Sequence, residues 1–480
     1  MSILSQNNIF KVLSAFNPWW QSGSVRPELS KSYHRLVFGD AMDFLRDDKI
    51  RRIVMLTGVR RVGKTTIQYQ MISKLLQSGV KPEQILFVSF DHPIFKLSRM
   101  DLILDCYKTS VYSGDDYYCF FDEIQYATDW DLWLKSIYDM NPLVKMVVTG
   151  SASPVLQNRI TESGAGRWTV IHVPTLSFFE YCDLLDLDRP ILESDLKPSS
   201  LLTCSKVELN HIMMKLSALQ RYLNRYLLVG GFPELAMADN DFRAQMVMRE
   251  DVVDKVLKCD IPSLYRIRNS SELERIFLYL CYSSANIISV EAISKELSGV
   301  SRATVNDYLT YMESANLIYR SYPADISRKQ VLKPKAKVYI ADAAIRNAVL
   351  MDDSILTDPE QMGITVETAV YNHAAAFYHR PAARVGYYRN GRNGKEIDIV
   401  VSYPGGRILI EVKYRENASI TTRDAIFEHA DGADAAIVVT RREDDYGLQP
   451  SGGVKPILRL PAFAFLYLLG NAAKHCHRGL

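Results

Sequence analysis

A multidomain α/β protein that opens on a parallel sheet is predicted, and three features carry the prediction. Short β-branched runs alternate with helical stretches through the first 150 residues, a GxxxxGK[ST] signature follows the first run, and alternating runs punctuated by Asn-Gly and Gly-Gly return after residue 385. Strands separated by helical segments of ten or more residues read as crossover units around a parallel sheet. At 480 residues the chain exceeds one ordinary domain of ~100–200 residues, so two to four domains are expected. Hydrophobic residues at 48% and charged ones at 23% exclude a disordered chain. The longest apolar run near the C-terminal end, Leu460–Leu469, is about half of the ~20 residues that span a bilayer, and the opening MSILSQNNIF lacks a signal-peptide layout. A cytoplasmic location with no membrane partner is therefore expected. Seven scattered cysteines without a CxxC pair indicate neither a disulfide framework nor zinc. Fifty-seven Lys+Arg against 55 Asp+Glu exclude a globally basic nucleic-acid coat and leave local patches open.

The elements follow in order. Strands are expected at Ile53–Thr57, Gln84–Phe90, Tyr117–Asp122 and Val144–Gly150, with a helix from Lys64. Beyond Pro174 the pattern turns to long helical periodicity, clearest over 216–237. Residues 272–320 hold three short helical patterns, and the short apolar runs Leu317–Tyr322 and Lys337–Ile340 flank a basic loop. A second α/β unit begins near Val385. The late stretch FAFLYLL reads as a last core strand or helix, and His475, Cys476 and His477 as an ordinary frayed tail.

Gly58-Val59-Arg60-Arg61-Val62-Gly63-Lys64-Thr65 lies between the first strand and the helix, where a phosphate-binding loop belongs. Its glycines let backbone N–H groups curl around phosphate oxygens, Lys64 is suited to the β/γ-phosphates, and Thr65 to Mg²⁺. Arg60, Arg61, Val62 and Thr66 complete the expected ATP contacts. Tyr118-Cys119-Phe120-Phe121-Asp122-Glu123 is a hydrophobic strand ending in two acids: Asp122 serves the metal and Glu123 the attacking water. Thr149 and Ser151, ending the next strand, read equally as γ-phosphate sensors and as helix caps. Arg167 reads either as a finger for a neighbouring subunit's nucleotide or as a solvated loop charge.

Asn17-Pro18-Trp19-Trp20, GVRRVGKTT, FFDEIQ, VVTGSAS, GAGRW followed by VPTLSFFEY, and YLLVGGFPE together resemble a large bacterial and archaeal family of AAA+-type ATPases. The resemblance runs through essentially the whole chain. It implies a P-loop ATPase domain at 1–175, a helical lid at 176–265, a winged-helix region at 266–345 and a restriction-endonuclease-like domain at 346–480. ATP and Mg²⁺ as cofactors, Arg167 as the finger, and a homo-oligomer are implied with it.

Two constellations point toward nucleic acid. Residues 289–314 have helix-turn-helix spacing, with Leu297, Val300, Val305, Leu309 and Met312 facing inward and Ser301, Arg302, Thr304 and Asn306 at the exposed start of the second helix. The strip 320–337 carries Arg320, Arg328, Lys329, Lys333, Lys335 and Lys337 against Asp325, as phosphate contacts to DNA require. Further on, Glu367 sits on a helical segment, Asp398 on a strand, and Glu411 and Lys413 on one face of the next strand. This set resembles the restriction-endonuclease-like superfamily in order and spacing, with Lys-Glu-Ile before Asp398 in place of the usual proline. The resemblance implies Mg²⁺ on Asp398 and Glu411, a hydrolytic water steadied by Lys413, and Glu367 in support; a degenerate scaffold is the alternative. Three functions follow: an ATPase performing a nucleic-acid-associated conformational task, an ATP-regulated DNA nuclease, or a nucleotide-dependent protein-binding switch.

Overall fold

The structure, a computed structural model, describes residues 5–151, 166–193, 196–267, 269–297, 299–324, 335–352, 355–378, 383–391 and 394–476. The chain forms two compact units, one of residues 1–174 with 314–316, the other of 175–313 with 317–480. The expected boundaries at 265 and 345 both fall inside the second. Among the described residues no helix is long and apolar enough to cross a membrane.

The first unit is built on five parallel strands, β1 (Ile53–Thr57), β2 (Ile85–Ser89), β3 (Tyr118–Asp122), β4 (Lys145–Gly150) and β5 (Trp168–His172), in the order β2-β3-β4-β1-β5. All five residues of β1 and the last four of β3 are buried, as strands covered on both faces must be, so their apolar runs are continuous rather than alternating. One face, carrying Met55, Val88, Phe121 and Val148, packs with Ile9, Leu13, Ile103, Trp130 and Leu134. The fifth strand goes beyond the four expected. It is an edge strand in which Ile171 alone is buried, so it carries almost no hydrophobic signal.

The opposite edge, β2, is closed by side chains. Asn17 Nδ2 donates to the Phe87 carbonyl (2.8 Å) while its Oδ1 accepts from the Phe87 N–H (2.6 Å), and the Trp19 and Trp20 indoles both donate to the Ile85 carbonyl (3.1 and 2.9 Å). The NPWW motif thus occupies the backbone groups that an open edge would offer to another strand.

In the second unit, the helices Ser271–Tyr282, Val290–Glu296 and Arg302–Ser314 alternate with β6 (Asn286–Ile287), β7 (Ile318–Ser321) and β8 (Lys337–Ile340), which form a small antiparallel sheet in the order β6-β8-β7. A six-stranded sheet follows, β13-β14-β12-β11-β10-β9, made of β9 (Arg384–Arg389), β10 (Glu396–Tyr403), β11 (Gly406–Lys413), β12 (Ala435–Thr440), β13 (Gly447–Gln449) and β14 (Ile457–Pro461). The helix Pro359–Phe377 precedes it, Ala425–His429 lies between β11 and β12, and FAFLYLL belongs to the buried helix Ala462–Cys476. Side chains beyond Lys474 lie outside the described residues, and with them the His475 to His477 tail.

A backbone junction explains the motifs VPTLSFFEY and GGFPE. The Leu176 N–H donates to the Gly231 carbonyl (2.6 Å), the Tyr226 hydroxyl donates to the Leu176 carbonyl (2.8 Å), and the Gly231 N–H donates to Asp342 Oδ2 (2.9 Å). A Cβ on Gly231 would lie 2.5 Å from the Leu176 oxygen, so only glycine permits the approach. Ser177 and Glu180 form a capping box for the helix Phe178–Leu184.

The first N–H of that helix, on Phe178, donates to His373 Nε2 at 2.8 Å, while the other ring nitrogen, Nδ1, faces the Ala369 carbonyl at 2.8 Å. His373 is buried beside Tyr226, and burial lowers its pKa to about 4 against the opposing bond to Ala369 and the charge of Glu180. A ring that must accept cannot be protonated without losing this contact. The unfolded chain takes up the proton first, so stability falls as pH drops below ~6.5 and the loss levels off below about 4. Urea denaturation of the wild type and His373→Gln between pH 7 and 4 checks this. The wild type should lose on the order of 2 kcal/mol more than the variant across that range, and Glu180, common to both, cancels.

Candidate nucleotide site and C-terminal acid cluster

From Thr57 the chain turns through 58–63 into the helix Lys64–Gln77. A Cβ on Gly58 would stand 2.2 Å from the Val173 carbonyl oxygen, and Gly63 has φ +97°, so both glycines are sterically required. Lys64 is buried and folds back over the loop, its Nζ donating to the carbonyls of Gly58 (2.9 Å) and Val59 (3.0 Å). Arg35 donates to the Val62 carbonyl (2.7 Å) and the Pro174 carbonyl (2.8 Å), bracing the loop from a position that no motif marks. Arg60, Arg61 and Thr66 line the turn half-buried, and Val62 is buried.

Parallel register brings the carboxyl ends of β1, β3 and β4 together beside this loop. Asp122 Oδ1 accepts from the Thr65 hydroxyl (2.9 Å) and the Thr149 hydroxyl (2.7 Å), and its Oδ2 accepts from Ser89 (3.3 Å). Burial, then the charge of Glu123, raises the Asp122 pKa to about 6 against those bonds. Glu123 adopts φ +51°, its N–H donates to Thr149 Oγ1 (3.0 Å), and its Oε2 accepts from Ser151 (3.3 Å) and from Gln125. Gln125 also donates to Ser151 Oγ at 3.1 Å. Thr149 therefore tethers both acids, and Gln125 is a participant that sequence reasoning passed over although it lies within FFDEIQ. A hard divalent cation fits these residues: a hydroxyl and a buried carboxylate, both oxygen donors, stand together, and the bonds to the carboxylate among the described residues come from uncharged hydroxyls.

Arg167 stands elsewhere. Its guanidinium pairs with Asp139 (2.8 and 3.1 Å), and its carbonyl accepts from Ile53 N–H. It is thus at the amino end of β1, five residues and about 17 Å of extended strand from its own phosphate loop.

The second unit gathers the other expected residues around a lysine. Lys337, 2% exposed on β8, places Nζ 2.7 Å from Glu367 Oε1, 2.8 Å from Glu396 Oε1 and 3.3 Å from Asp398 Oδ1. Burial alone would lower its pKa, yet Asp398, Glu367 and Glu396 hold it well above the ordinary lysine value. Tyr339, two residues along β8, donates to Glu367 Oε1 (2.9 Å) and stacks on Tyr371. Burial and Asp398 push Glu367 up to about 7. Asp398 Oδ2 accepts from the Val412 N–H (2.9 Å), Glu411 Oε1 lies 2.7 Å from Lys413 Nζ, and Lys413 reaches Asp424 at 3.5 Å. Burial and Asp398 raise Glu411 to about 8, and its Oε2 has no hydrogen-bond partner among the described residues.

Glu367, Asp398 and Glu411 are the acids on which Mg²⁺ is expected. The acids converge, but Lys337 stands among them, and among the described residues no three Asp, Glu, His or Cys side chains are grouped to hold a metal. Within the basic strip, Lys337 is neutralised inside the unit, Arg320 is bonded to Glu313 (2.7 Å), and 325–334, with Arg328, Lys329 and Lys333, lie outside the described residues. In the 289–314 segment the five expected inward residues are all buried, while the exposed Arg302 is paired with Glu291.

Comparison with known proteins matches residues 50–182 to the AAA domain family. Residues 220–355 and 362–463 match two domains of unknown function, DUF8612 and DUF4143. The uncharacterized protein MJ1544 of Methanocaldococcus jannaschii is 25% identical over 61% of this chain, which covers 60% of its length. An uncharacterized protein of Haemophilus influenzae is 24% identical over 61% of this chain and 68% of its own. Among solved structures, the RuvB Holliday junction branch migration motor of Thermotoga maritima aligns at 16% identity over 66% of this chain and 90% of that one, with a TM-score of 0.26. AMPPCP-bound DnaA from Aquifex aeolicus aligns at 15% over 58% and 87%, with a TM-score of 0.25. At such scores these similarities carry no argument. The family match and the site geometry agree on one point: the N-terminal unit is a parallel-sheet P-loop domain of the AAA type.

Proposed function

We propose that this chain is an AAA+-type ATPase that binds Mg²⁺ and ATP at the N-terminal site and uses the cycle to change conformation in a nucleic-acid-associated task. The observation that carries the reading is Asp122, buried at a strand end with the Thr65 and Thr149 hydroxyls on one of its oxygens and Glu123 beside it. Thr65 and Asp122 would hold Mg²⁺, which neutralises phosphate charge when bound. Lys64 exchanges its loop carbonyls for β/γ-phosphate oxygens, and the amino end of the Lys64–Gln77 helix adds its dipole. Glu123 orients and deprotonates water, with Gln125 and Ser151 holding its carboxylate.

Steady-state ATPase assays and nucleotide-binding titrations test these roles. Lys64→Ala should lose ATP binding, whereas Glu123→Gln should keep it and slow turnover at least ~100-fold, because Glu123 acts on the water and Lys64 on ground-state phosphates. Equal binding losses in both would remove Glu123 from its role.

Arg167, at the opposite end of the sheet from its own loop, is proposed to act on the nucleotide of a neighbouring copy in a homo-oligomer. Arg167→Ala should lower turnover with ATP affinity unchanged, and wild-type specific activity should rise with protein concentration. Constant specific activity in a monomer at every concentration would refute it.

We read the order helix, β6, helix, helix, β7, β8 as a winged helix and as the DNA-facing element, with Ser301, Arg302, Thr304, Asn306 and the basic strip as contacts. Binding of a duplex should weaken steeply with salt, and replacing Lys333 and Lys335 by Ala should reduce the slope of log K on log[salt] by about 2. A protein-binding switch is the second reading, favoured by the Arg302–Glu291 pair and the neutralised Lys337. It predicts no duplex binding even at low salt. We read the order helix, β9, β10, β11, helix, β12 as a restriction-endonuclease-like core, and the acid cluster on it as a scaffold rather than a cutting site.

A further inference from the structure

Five carboxylates meet at one end of the six-stranded sheet: Glu367 from the Pro359–Phe377 helix, Glu396 and Asp398 from β10, Glu411 from β11 and Asp424 just before the next helix. A buried carboxylate is ionised at far lower cost when a cation is close. Two lysines supply it, in separate sets. Lys413 serves Glu411 and Asp424 from within its own strand, whereas Lys337 comes from β8, in the other sheet, and contacts Glu367, Glu396 and Asp398.

The second set occupies the space a divalent ion would need. Mg²⁺ or Mn²⁺ on Glu367 and Asp398 requires their oxygens at about 2.0–2.2 Å from a common centre. The Lys337 ammonium already lies 2.7 Å from Glu367 Oε1 and 3.3 Å from Asp398 Oδ1. A metal held by those atoms would be within ~4 Å of a like charge whose side chain is almost wholly buried and so weakly screened. The ammonium is also fixed in place: its side chain is 3% exposed, and Tyr339 on the same strand face is bonded to Glu367.

We propose that Lys337 is the resident cation of this cluster, standing where a catalytic metal would stand, so that the acids form an ionic clasp between β8 and the Pro359–Phe377 helix and β10, and take up a divalent ion only when Lys337 is removed. The inference is independent of the ATPase reading, since it concerns the second unit alone.

Mn²⁺ binding counted by electron paramagnetic resonance tests it, on the full chain carrying Asp122→Asn to silence the nucleotide-site metal and with no nucleotide present. With Lys337 in place, millimolar Mn²⁺ should leave the second unit empty. Adding Lys337→Met should create one Mn²⁺ site per chain, at least about tenfold tighter than any binding in its absence, and a further Asp398→Asn should abolish it. Circular dichroism melting reports whether Lys337→Met folds, and Lys337→Gln, which keeps hydrogen-bonding capacity, replaces it if it does not. Mn²⁺ bound by the Lys337-bearing chain and lost with Asp398→Asn would overturn the proposal, as would folded Lys337 variants that gain no site. Plasmid incubated with the unmutated chain, Mn²⁺ and ATP should stay supercoiled. Nicking that Asp398→Asn abolishes would likewise overturn it.

Discussion

A carboxylate out of water needs positive charge nearby, and this requirement organises both units. The penalty for an isolated buried ion is several kcal/mol, more than any single hydrogen bond returns. Asp122 meets it incompletely: hydroxyls of Thr65, Thr149 and Ser89 solvate the group, and its pKa still rises. An acid left in that state has affinity for a cation to spare. Glu367, Glu396 and Asp398 have a cation from inside the chain, Lys337, although burial and Asp398 still push Glu367 up to about 7. On the readings proposed above, what separates the two sites is a lysine in direct contact with the acids of the second.

How the fold delivers each partner explains what was legible beforehand. The nucleotide site is assembled from strand ends in one parallel sheet, and each contribution is a local signature: the loop after β1, the acid pair after β3, Thr149 at the end of β4. Reading the order of elements was enough to bring them together. Lys337 lies 30 residues before Glu367 and 61 before Asp398. In sequence it is the last member of a basic run, indistinguishable from solvated lysines until β8 pairs with β7 and turns Lys337 and Tyr339 inward. Only tertiary pairing carries that information.

Secondary structure was legible to the same degree and for the same reason. Strands β1 to β4 are buried on both faces and read as continuous apolar runs, while β5, β6, β12, β13 and β14 were not foreseen. Strand β5 buries one side chain, and β6 and β13 span two and three residues, so none of these three presents a hydrophobic period long enough to recognise. Arg35 and Gln125 were missed for another reason. One braces a loop carbonyl from 27 residues upstream, and the other is a polar residue whose contact with Ser151 appears only when β3 and β4 lie side by side.

Two of the sequence motifs sit apart from the candidate reacting groups. Asn17, Trp19 and Trp20 close the β2 edge, and Gly231, Leu176 and Asp342 form a backbone junction too tight for any Cβ. Such positions tolerate a single residue type because backbone atoms cannot yield, whereas a loop that binds phosphate through main-chain N–H groups constrains few side chains. A motif's narrowness thus measures how little space surrounds it. The parallel sheet adds a second asymmetry: phosphate chemistry gathers at the carboxyl ends of its strands, and Arg167 belongs to the amino ends. Within one copy Lys64 is the cation folded over the loop, and the register of β5 on β1 keeps Arg167 a full strand length away. On the proposed reading, Arg167 of a neighbouring copy adds its charge to that of Lys64, Arg60 and Arg61 in the copy that holds the nucleotide, which ties catalysis to assembly through strand register.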